Sequence, residues 1–462
     1  MRFDLVVKGG TLLTSEGARK GDIGVRGGKI AEIGPSLSGR KVLEAGGTYV
    51  IPGGVDVHTH LDMPLGGVTV TADDFATGSL AAACGGTTTI IDYAAQTKGR
   101  SMREALDVWR RKADGRSIVD YGFHMSLPEV TEKGLEEMDR LVREGVTTFK
   151  LFMAYPGRFM LGDGDIYRVM ERSRGNGGMV LLHAENGPVI DVLTREALRR
   201  GHRSPRFHPQ VRPVAAEAEA VSRALALADM AGARVYIVHL STAKALAHVR
   251  EARRAERPVF AETCPQYLYL SDKEYLRPGF EAAKYVMAPP LRPRGNEEAL
   301  WEGLRSGWLQ VVATDHCSFD YRGTRKRPGK ELGRGDFTKI PGGVPGIETR
   351  MLLLWDAVQR GLLSQARFVE VACTAPAKLF GLYPRKGALE RGSDADIVLI
   401  DPFRRHMISA KTHHMNVDYN PYEGLCTRGS VKHVLIRGRD VVRDYEPVPR
   451  PPKGVFLKRR PV

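Results

Sequence analysis

Short apolar runs alternate with helical patterns through the middle of this 462-residue chain. Each run has the length of one buried strand, and stretches such as 102–113, 136–144 and 215–231 have the periodicity of helices between strands. Eight such repeats predict an α/β fold in which parallel strands close into a (β/α)8 TIM-like barrel. The candidate strands are 49–57, 87–93, 119–126, 146–153, 179–183, 234–240, 258–263 and 309–315.

The two ends of the chain have a different pattern, with short β-rich runs separated by glycine turns. We expect them to pair into one small β-sandwich domain formed by residues 1–52 and 385–445. The barrel would then occupy residues 53–384 as an insertion. Residues 446–462, which contain VPRPPKGVFLKRRPV, are expected to form a basic C-terminal tail.

Histidine, lysine and aspartate residues lie at the ends of the candidate strands. The first run leads into Asp56-x-His58-x-His60, and alternation along a strand places the two imidazoles on the same side. The other strand ends carry Lys150, His183, His239 and Asp315. In a (β/α)8 barrel the chemistry lies at the carboxyl ends of the strands, so this set predicts a metal centre there. Each residue alone could equally be a hydrogen-bonded core histidine, a solvated lysine or a helix-capping aspartate.

The residue types suit two divalent cations that share a bridging anion. An ammonium cannot bridge cations, so Lys150 would have to become a carbamate by reaction with CO2. Water held between the metals would lose a proton near neutral pH. Asp315 could then bind one metal, hold the nucleophile and carry a proton to a leaving nitrogen.

Charge, cysteines and hydropathy limit the other classes of function. The formal net charge is +15, but the basic residues are mostly interleaved with acids and no nucleic-acid-binding motif accompanies them. The five cysteines are scattered without a CxxC pair, which favours reduced thiols over disulfides. No long apolar segment predicts a membrane span or a leader peptide. We therefore expect a cytoplasmic protein with no nucleic-acid or membrane partner.

The order and spacing of its motifs make the chain similar to the dihydropyrimidinase/D-hydantoinase family, which are cyclic amidohydrolases. The resemblance covers essentially the whole length and rests on GGVDVHTH, FKLFMAY, HAEN, VHLS, ETCPQYL, MAPPLR, ATDHCSFD, FTKIPGGVPGIETR, KLFGLYPRKG, GSDADIVLIDP and NVDYNPYEG. It implies a binuclear centre, usually zinc, and a homotetramer. One metal would be held by His58, His60, carbamylated Lys150 and Asp315. The other would be held by Lys150, His183 and His239.

The resemblance also implies a substrate pocket. Tyr155 matches the tyrosine whose hydroxyl steadies the developing oxyanion, and Leu65, Phe152 and Phe159 match apolar positions around the ring substituent. Family members fix the cyclic imide through backbone groups at positions that match Ala288 and Gly342. This chain departs from the family pattern at both of these residues and at Ser318, where proline is common. Ordinary loop packing is the alternative role for each aromatic or aliphatic residue.

The function implied is metal-dependent hydrolysis of dihydropyrimidines and 5-substituted hydantoins to N-carbamoyl amino acids, by attack of a metal-bridging hydroxide. An allantoinase or another cyclic-ureide hydrolase is the alternative, because the metal frame would be shared and only the pocket would differ. A non-catalytic scaffold is a third hypothesis, which the complete set of six ligand residues disfavours.

Overall fold

The structure is a computed structural model and describes residues 2–462. In chain order its strands are β1 (Phe3–Thr14), β2 (Gly17–Arg26), β3 (Lys29–Gly34), β4 (Gly39–Glu44), β5 (Tyr49–Pro52), β6 (Gly54–Thr59), β7 (Pro64–Leu65), β8 (Thr69–Val70), β9 (Thr87–Ala95), β10 (Asp120–Ser126), β11 (Thr148–Phe152), β12 (Met179–His183), β13 (Val235–Ile237), β14 (Val259–Thr263), β15 (Val311–Val312), β16 (Ile397–Met407), β17 (Cys426–Ile436), β18 (Arg439–Arg443) and β19 (Glu446–Pro447). Its α-helices are α1 (Phe75–Cys84), α2 (Met102–Ala113), α3 (Glu132–Glu144), α4 (Asp163–Asn176), α5 (Gly187–Arg199), α6 (Val214–Ala231), α7 (Ala243–Arg254), α8 (Pro265–Tyr269), α9 (Asn296–Arg305), α10 (Arg350–Gln359), α11 (Gln365–Val369) and α12 (Ala375–Leu379).

The two chain ends pair into one small domain, as the sequence predicts, and the strands of that domain form one mixed sheet. Its strand order is β19-β18-β17-β16-β5-β1-β2-β3, and β4 pairs with β1. The ends join where β5 runs antiparallel to β16, with Ile51 opposite Val398. Strand β1 pairs with β4 along its first half and with β5 along its second half, so the ladder is continuous. The sheet has its own apolar cluster, which includes Leu12, Ile23 and Leu399.

The predicted first strand, 49–57, is two strands that belong to different sheets. Tyr49–Pro52 joins the small sheet and Gly54–Thr59 opens the barrel. The break is at Gly53, where an added Cβ would lie 2.0 Å from Thr88 Oγ1. Only glycine allows the backbone to approach the next barrel strand this closely. An unbroken apolar run does not reveal a change of sheet, which is why the sequence predicts one strand.

The barrel contains eight parallel strands in the order β15-β14-β13-β12-β11-β10-β9-β6, which confirms the predicted fold class. Its last strand is short, and much of the closure between β15 and β6 is made by side chains. The Asp56 carboxylate accepts hydrogen bonds from the backbone N–H and the hydroxyl of Thr314, at 3.1 and 2.7 Å. The Arg350 guanidinium donates to the carbonyls of Val55 and Val312, at 3.1 and 3.0 Å. Asp56 and Arg350 therefore join the first and last strands of the barrel.

The outer helices follow from local sequence signals. In α2 the apolar residues Met102, Ala105, Leu106, Trp109 and Ala113 recur at helical spacing and are buried, while Ser101 caps the first turn. Helix α3 is capped by Thr131 and ends at Gly145, which has a φ of +96°. These helices pack their apolar faces on the strands, so the barrel and its helical shell form a large apolar cluster.

The C-terminal segment, predicted as a basic tail, packs against the barrel. Leu457 is fully buried, and the Phe456 ring stacks 6.0 Å from that of Phe123. The Arg459 guanidinium donates to the carbonyl of Phe123 and to the hydroxyl of Thr148. Because β10 and β11 begin here, the segment covers the amino-terminal side of the barrel, opposite the strand ends that carry the predicted site.

Candidate metal centre and active site

The six predicted ligand residues lie at or just beyond the carboxyl ends of the barrel strands. His58 is in β6 and His60 follows it, Lys150 is in β11 and His183 ends β12. The other two, His239 and Asp315, lie two and three residues past β13 and β15. The barrel therefore gathers at one opening side chains that are far apart in the sequence.

One group consists of His58, His60 and Asp315. The Oδ1 atom of Asp315 lies 3.1 Å from Nε2 of His58 and 3.2 Å from Nε2 of His60. One ligand atom from each of the three residues can be chosen so that all lie within 4.8 Å of one another. Two imidazoles and a carboxylate at this separation can bind one divalent cation.

The second group is the pair formed by His183 and His239. Nδ1 of His183 lies 3.0 Å from Nε2 of His239, and the ring of His239 is 5.4 Å from that of His58. Nε2 of His183 is 2.8 Å from Oε2 of Glu185, which itself pairs with Arg212. Glu185 therefore orients His183 so that Nδ1 faces His239.

Lys150 is buried beside both groups. Its Nζ lies 5.1 Å from the ring centre of Tyr93 and 5.2 Å from that of Phe152. Burial lowers the pKa of Lys150 to about 8, although Asp315 and Glu262 favour its charged form. An amine with such a pKa has an appreciable neutral fraction at pH 7, and the neutral amine is the reactive form.

One buried imidazole nitrogen tests whether the site suits a metal. Nε2 of His58 faces Oδ1 of Asp315 at 3.1 Å, yet it makes no hydrogen bond of good geometry among residues 2–462. Buried polar atoms are normally paired, and an unpaired imidazole nitrogen is a metal-binding atom. The residues present therefore fit a divalent metal centre.

Burial keeps most of these imidazoles neutral, the form that binds a metal. Burial lowers the pKa of His60 to about 4 and also lowers the pKa values of His183 and His239. Burial acts in the same direction on His58, but Glu262 and Asp315 outweigh it and raise its pKa to about 9. Burial alone would raise the pKa of Asp315, yet the neighbouring histidines hold it well below its ordinary value.

Glu262 is a site residue that the sequence analysis did not identify. Its carboxylate accepts a hydrogen bond from Nδ1 of His58, from the hydroxyl of Tyr236 at 2.8 Å and from the backbone N–H of His239 at 3.2 Å. A carboxylate behind a ligating histidine sets its tautomer and orientation. The sequence feature that could have indicated Glu262 is its position near the end of the seventh barrel strand, in ETCPQYL.

Three non-glycine residues of the site have left-handed backbone conformations. The φ angles are +66° at Tyr155, +40° at His239 and +50° at Asp315. Such conformations cost on the order of 1 kcal/mol or more each and persist where surrounding contacts enforce them. Sequence alone does not reveal them.

Aromatic side chains from the end of β11 and from the loop after it form one wall beside His183. The ring of Tyr155 lies 5.3 Å from His183 and that of Phe152 lies 5.7 Å from it, while Phe159 packs 5.5 Å from Phe152. Burial raises the pKa of Tyr155 to about 12, so its hydroxyl stays protonated at neutral pH. The structure thus brings together three of the predicted pocket residues.

Leu65 lies on a separate hairpin, formed by β7 and β8. An added Cβ on Gly66, at the hairpin turn, would lie 3.5 Å from Nη2 of Arg158 in the loop after β11. The hairpin and the aromatic loop therefore meet at the same rim of the barrel.

Ala288 and Gly342 lie on two neighbouring segments near Asp315. The backbone N–H of Gly343 donates to the carbonyl of Val286 at 3.0 Å, and Sγ of Cys317 is 3.8 Å from the carbonyl oxygen of Gly342. The fully buried Lys330, which the sequence analysis did not single out, donates to the carbonyls of Val286 and Pro341 at 3.1 and 3.0 Å. The amino group of Lys330 thus links both segments.

Comparison with known proteins agrees with this geometry. The model of the Amidohydrolase family matches residues 49–441. A D-hydantoinase of Streptomyces coelicolor is 50% identical over 461 residues, covering 98% of this chain and 97% of that protein. A D-hydantoinase of Geobacillus stearothermophilus is 48% identical over 459 residues, covering 98% and 96%. The crystal structure of dihydropyrimidinase from Brevibacillus agri superposes with a TM-score of 0.96 at 46% identity, covering 98% of each chain. The family resemblance predicted from the motifs is confirmed, and the chain belongs to the amidohydrolase family and, within it, to the group of D-hydantoinases and dihydropyrimidinases.

Proposed function

We propose that this chain is a metal-dependent hydrolase that opens cyclic amides, namely 5-substituted hydantoins and dihydropyrimidines, to N-carbamoyl amino acids. The observation that carries the proposal is the convergence of four histidines, Asp315 and a buried lysine at the carboxyl end of the barrel. The names of its relatives, D-hydantoinase and dihydropyrimidinase, supply the substrate class.

We assign two divalent metals, most simply zinc, to the centre. His58, His60, Asp315 and a carbamate on Lys150 would hold one metal, while the same carbamate, His183 and His239 would hold the other. The lowered pKa of Lys150 supports carbamate formation, since the neutral amine reacts with CO2. When bound, the metals supply an activated water and polarise the carbonyl of the amide.

The side chains of this protein then have separate tasks. Asp315, a carboxylate beside His58 and His60 whose pKa is held well below its ordinary value, would accept the proton of the nucleophile and pass it to the departing ring nitrogen. Tyr155, protonated at neutral pH, donates a hydrogen bond to the oxygen on which negative charge develops. Phe152, Phe159 and Leu65 hold the ring substituent.

The imide edge of the substrate is assigned to backbone groups near Ala288 and Gly342. This use of the backbone is compatible with the departures from the family pattern, because no side chain is required. The two segments are held rigid by Lys330, which supports their use as a fixed binding edge.

Allantoin hydrolysis is the second candidate within the same chemistry. The aromatic wall of Phe152, Phe159 and Tyr155 favours an apolar substituent over the polar ureido group of allantoin. A non-catalytic scaffold is disfavoured because all six candidate ligand residues are present.

The test is ring opening of 5-phenylhydantoin, dihydrouracil and allantoin by zinc-loaded protein, with the metal content measured in parallel. We expect two zinc ions per chain, hydrolysis of the first two substrates and no activity in Lys150→Ala. A short-chain carboxylate added to that variant should restore part of the activity by replacing the missing anion. Lys29→Ala, in the small sheet, is the matched control and should remain active. Full activity after complete metal removal would contradict the proposal, and a dominant allantoin rate would favour the alternative.

We also propose a homotetramer in the cytoplasm, with the domain division 1–52 plus 385–445, 53–384 and 446–462. No helix within residues 2–462 has the length and hydropathy of a membrane span. Light scattering of the purified protein tests the tetramer, and a monomer would refute it.

A further inference from the structure

A buried polar cluster lies directly behind the metal centre and consists of Asp73, His316 and Ser318. All three residues are completely buried, and none of them is a candidate ligand. Oδ2 of Asp73 accepts a hydrogen bond from the Ser318 hydroxyl at 2.9 Å and lies 3.1 Å from Nε2 of His316. Oδ1 of Asp73 accepts from the backbone N–H of Asn416 at 2.7 Å. Every oxygen of this carboxylate is therefore engaged.

The neighbours of His316 determine its tautomer. Nδ1 accepts from the backbone N–H groups of Gly346 and Ile347, at 3.0 and 3.3 Å. A nitrogen that accepts hydrogen bonds carries no proton, so the ring proton is on Nε2 and is donated to Asp73. The imidazole is thus held from both sides, by a carboxylate and by a loop backbone.

The backbone around His316 connects this cluster to the metal centre. The carbonyl of His316 accepts from the backbone N–H of His60 at 2.8 Å, and Cys317 N–H donates to Val344 at 3.1 Å. Asp315, the preceding residue, has a φ of +50°, a left-handed conformation that costs aspartate less than most residues and that the contacts of its neighbours stabilise. Thr314 holds the chain on the other side of Asp315, since its backbone N–H and hydroxyl donate to Asp56 at 3.1 and 2.7 Å. The hydrogen bonds of His316 hold the chain on the C-terminal side.

We propose that Asp73 and Ser318 are positioning residues: they hold His316, and through it the left-handed backbone of Asp315, so that the Asp315 carboxylate binds the same metal as His58 and His60. This inference rests on the metal centre of the proposed function. Ser318 also ties together two loops, since its carbonyl accepts from Ala72 N–H at 2.7 Å and its hydroxyl from Asp73 N–H at 3.1 Å. Ser318 stands where family members commonly have proline, and its hydroxyl therefore links this loop to Asp73.

Asp73→Asn is a sharp perturbation because it keeps the shape of the side chain. If the amide oxygen accepts from Asn416, the amide NH2 faces Nε2–H of His316, which can only donate, and the Ser318 hydroxyl, which can rotate to accept. The substitution thus removes the acceptor of His316 and reverses the hydrogen bond of Ser318. Asp22→Asn is the matched control, since Asp22 is a buried carboxylate in the small sheet that accepts from Gly9 N–H at 2.9 Å and Leu37 N–H at 3.0 Å.

The experiment measures zinc release from the loaded protein into excess chelator, together with the melting temperature. In Asp73→Asn we expect one of the two zinc ions to leave roughly tenfold to a hundredfold faster, as for other residues that orient metal ligands. The second ion should leave at the wild-type rate. Asp22→Asn should lower the melting temperature and leave both release rates unchanged. Equal release rates in the wild type and Asp73→Asn would overturn the proposal, as would equal acceleration of both ions.

Ser318 provides an independent arm that does not depend on the folding of Asp73→Asn. Ser318→Ala should accelerate the loss of the same single ion several-fold, and Ser318→Thr, which keeps the hydroxyl, should restore slow release. Release from Ser318→Ala at the wild-type rate would overturn the role of Ser318. If the wild type holds two zinc ions but opens no cyclic amide, the proposed substrate is refuted. The zinc-release rates of the wild type and its variants would still test the positioning role.

Discussion

Replacing Lys386 with methionine should destabilise the junction between the small sheet and the barrel. Its ammonium is 1% exposed and lies 2.5 Å from Asp120, 2.6 Å from Asp396 and 2.9 Å from Asp394. Asp120 begins β10 of the barrel, whereas Asp394 and Asp396 precede β16 of the small sheet. One buried cation therefore neutralises carboxylates from both parts of the molecule.

The size of the effect depends on which carboxylate is left without a cation. Asp120 keeps Arg437, and Asp394 keeps Arg385 and Lys29. Asp396 keeps only the backbone N–H of Arg437, at 2.8 Å. Leaving a buried charge unpaired costs about 3–5 kcal/mol of unfolding free energy. With about 2.1 cal/mol/K of unfolding entropy per residue over 462 residues, the melting temperature should fall by about 3–5 °C.

The pH dependence supplies a second, independent check. Burial and Asp120 raise the pKa of Asp396, although Lys386 opposes them, and its removal raises that pKa further. Because the pKa of Asp396 is higher in the folded variant than in the unfolded chain, Asp396 binds a proton in the folded state first as the pH falls. The neutral carboxyl group no longer needs the cation that Lys386 supplied. The loss of stability should therefore be smaller at pH 5 than at pH 8.

The assay is thermal unfolding at one fixed scan rate, with Lys29→Met as the control. Lys29 is 47% exposed and contacts Asp394 at 2.5 Å, so its removal should cost about 0–1 kcal/mol. Adding Asp396→Asn to Lys386→Met should recover part of the stability, because no unpaired buried charge then remains. A fall in melting temperature no larger than that of Lys29→Met, or an equal fall at both pH values, would refute the reasoning.

Three further predictions concern the site. Glu262→Gln should weaken zinc binding roughly tenfold to a hundredfold, because the carboxylate that orients His58 is lost. Titration with a zinc chelator measures the affinity, and an unchanged affinity would contradict this role. Lys330→Met should raise KM for 5-methylhydantoin and 5-phenylhydantoin by the same factor, because the backbone segments that Lys330 holds are assigned to the ring that both substrates share. The zinc content should stay unchanged, and an unchanged KM would exclude this role. Phe159→Ala should raise KM for the phenyl substrate about tenfold more than for the methyl substrate, because one aromatic contact is lost. Equal changes for both substrates would show that Phe159 does not contact the ring substituent.

The sequence by itself determined the features that depend on local order. Strand-length apolar runs alternating with helical periods predicted the barrel, and the same periodicity placed His58, Lys150, His183 and Asp315 at strand ends. These predictions succeed because a strand or helix is specified by neighbouring residues, and in a parallel barrel every strand end points to the same face. The similarity of the two chain ends likewise predicted their common sheet.

Only the tertiary structure decided which distant residues support the site and the core. Glu262 reaches His58 across 204 positions, Asp73 reaches His316 across 243 and Lys386 reaches Asp120 across 266. No periodic pattern links such pairs, because they meet only after the strands have closed into a barrel. The same holds for the split of the first predicted strand at Gly53 and for the burial of Leu457 in a segment whose composition is basic. Local sequence specifies the elements and the side chains that they present, whereas packing specifies the partner that each buried charge requires.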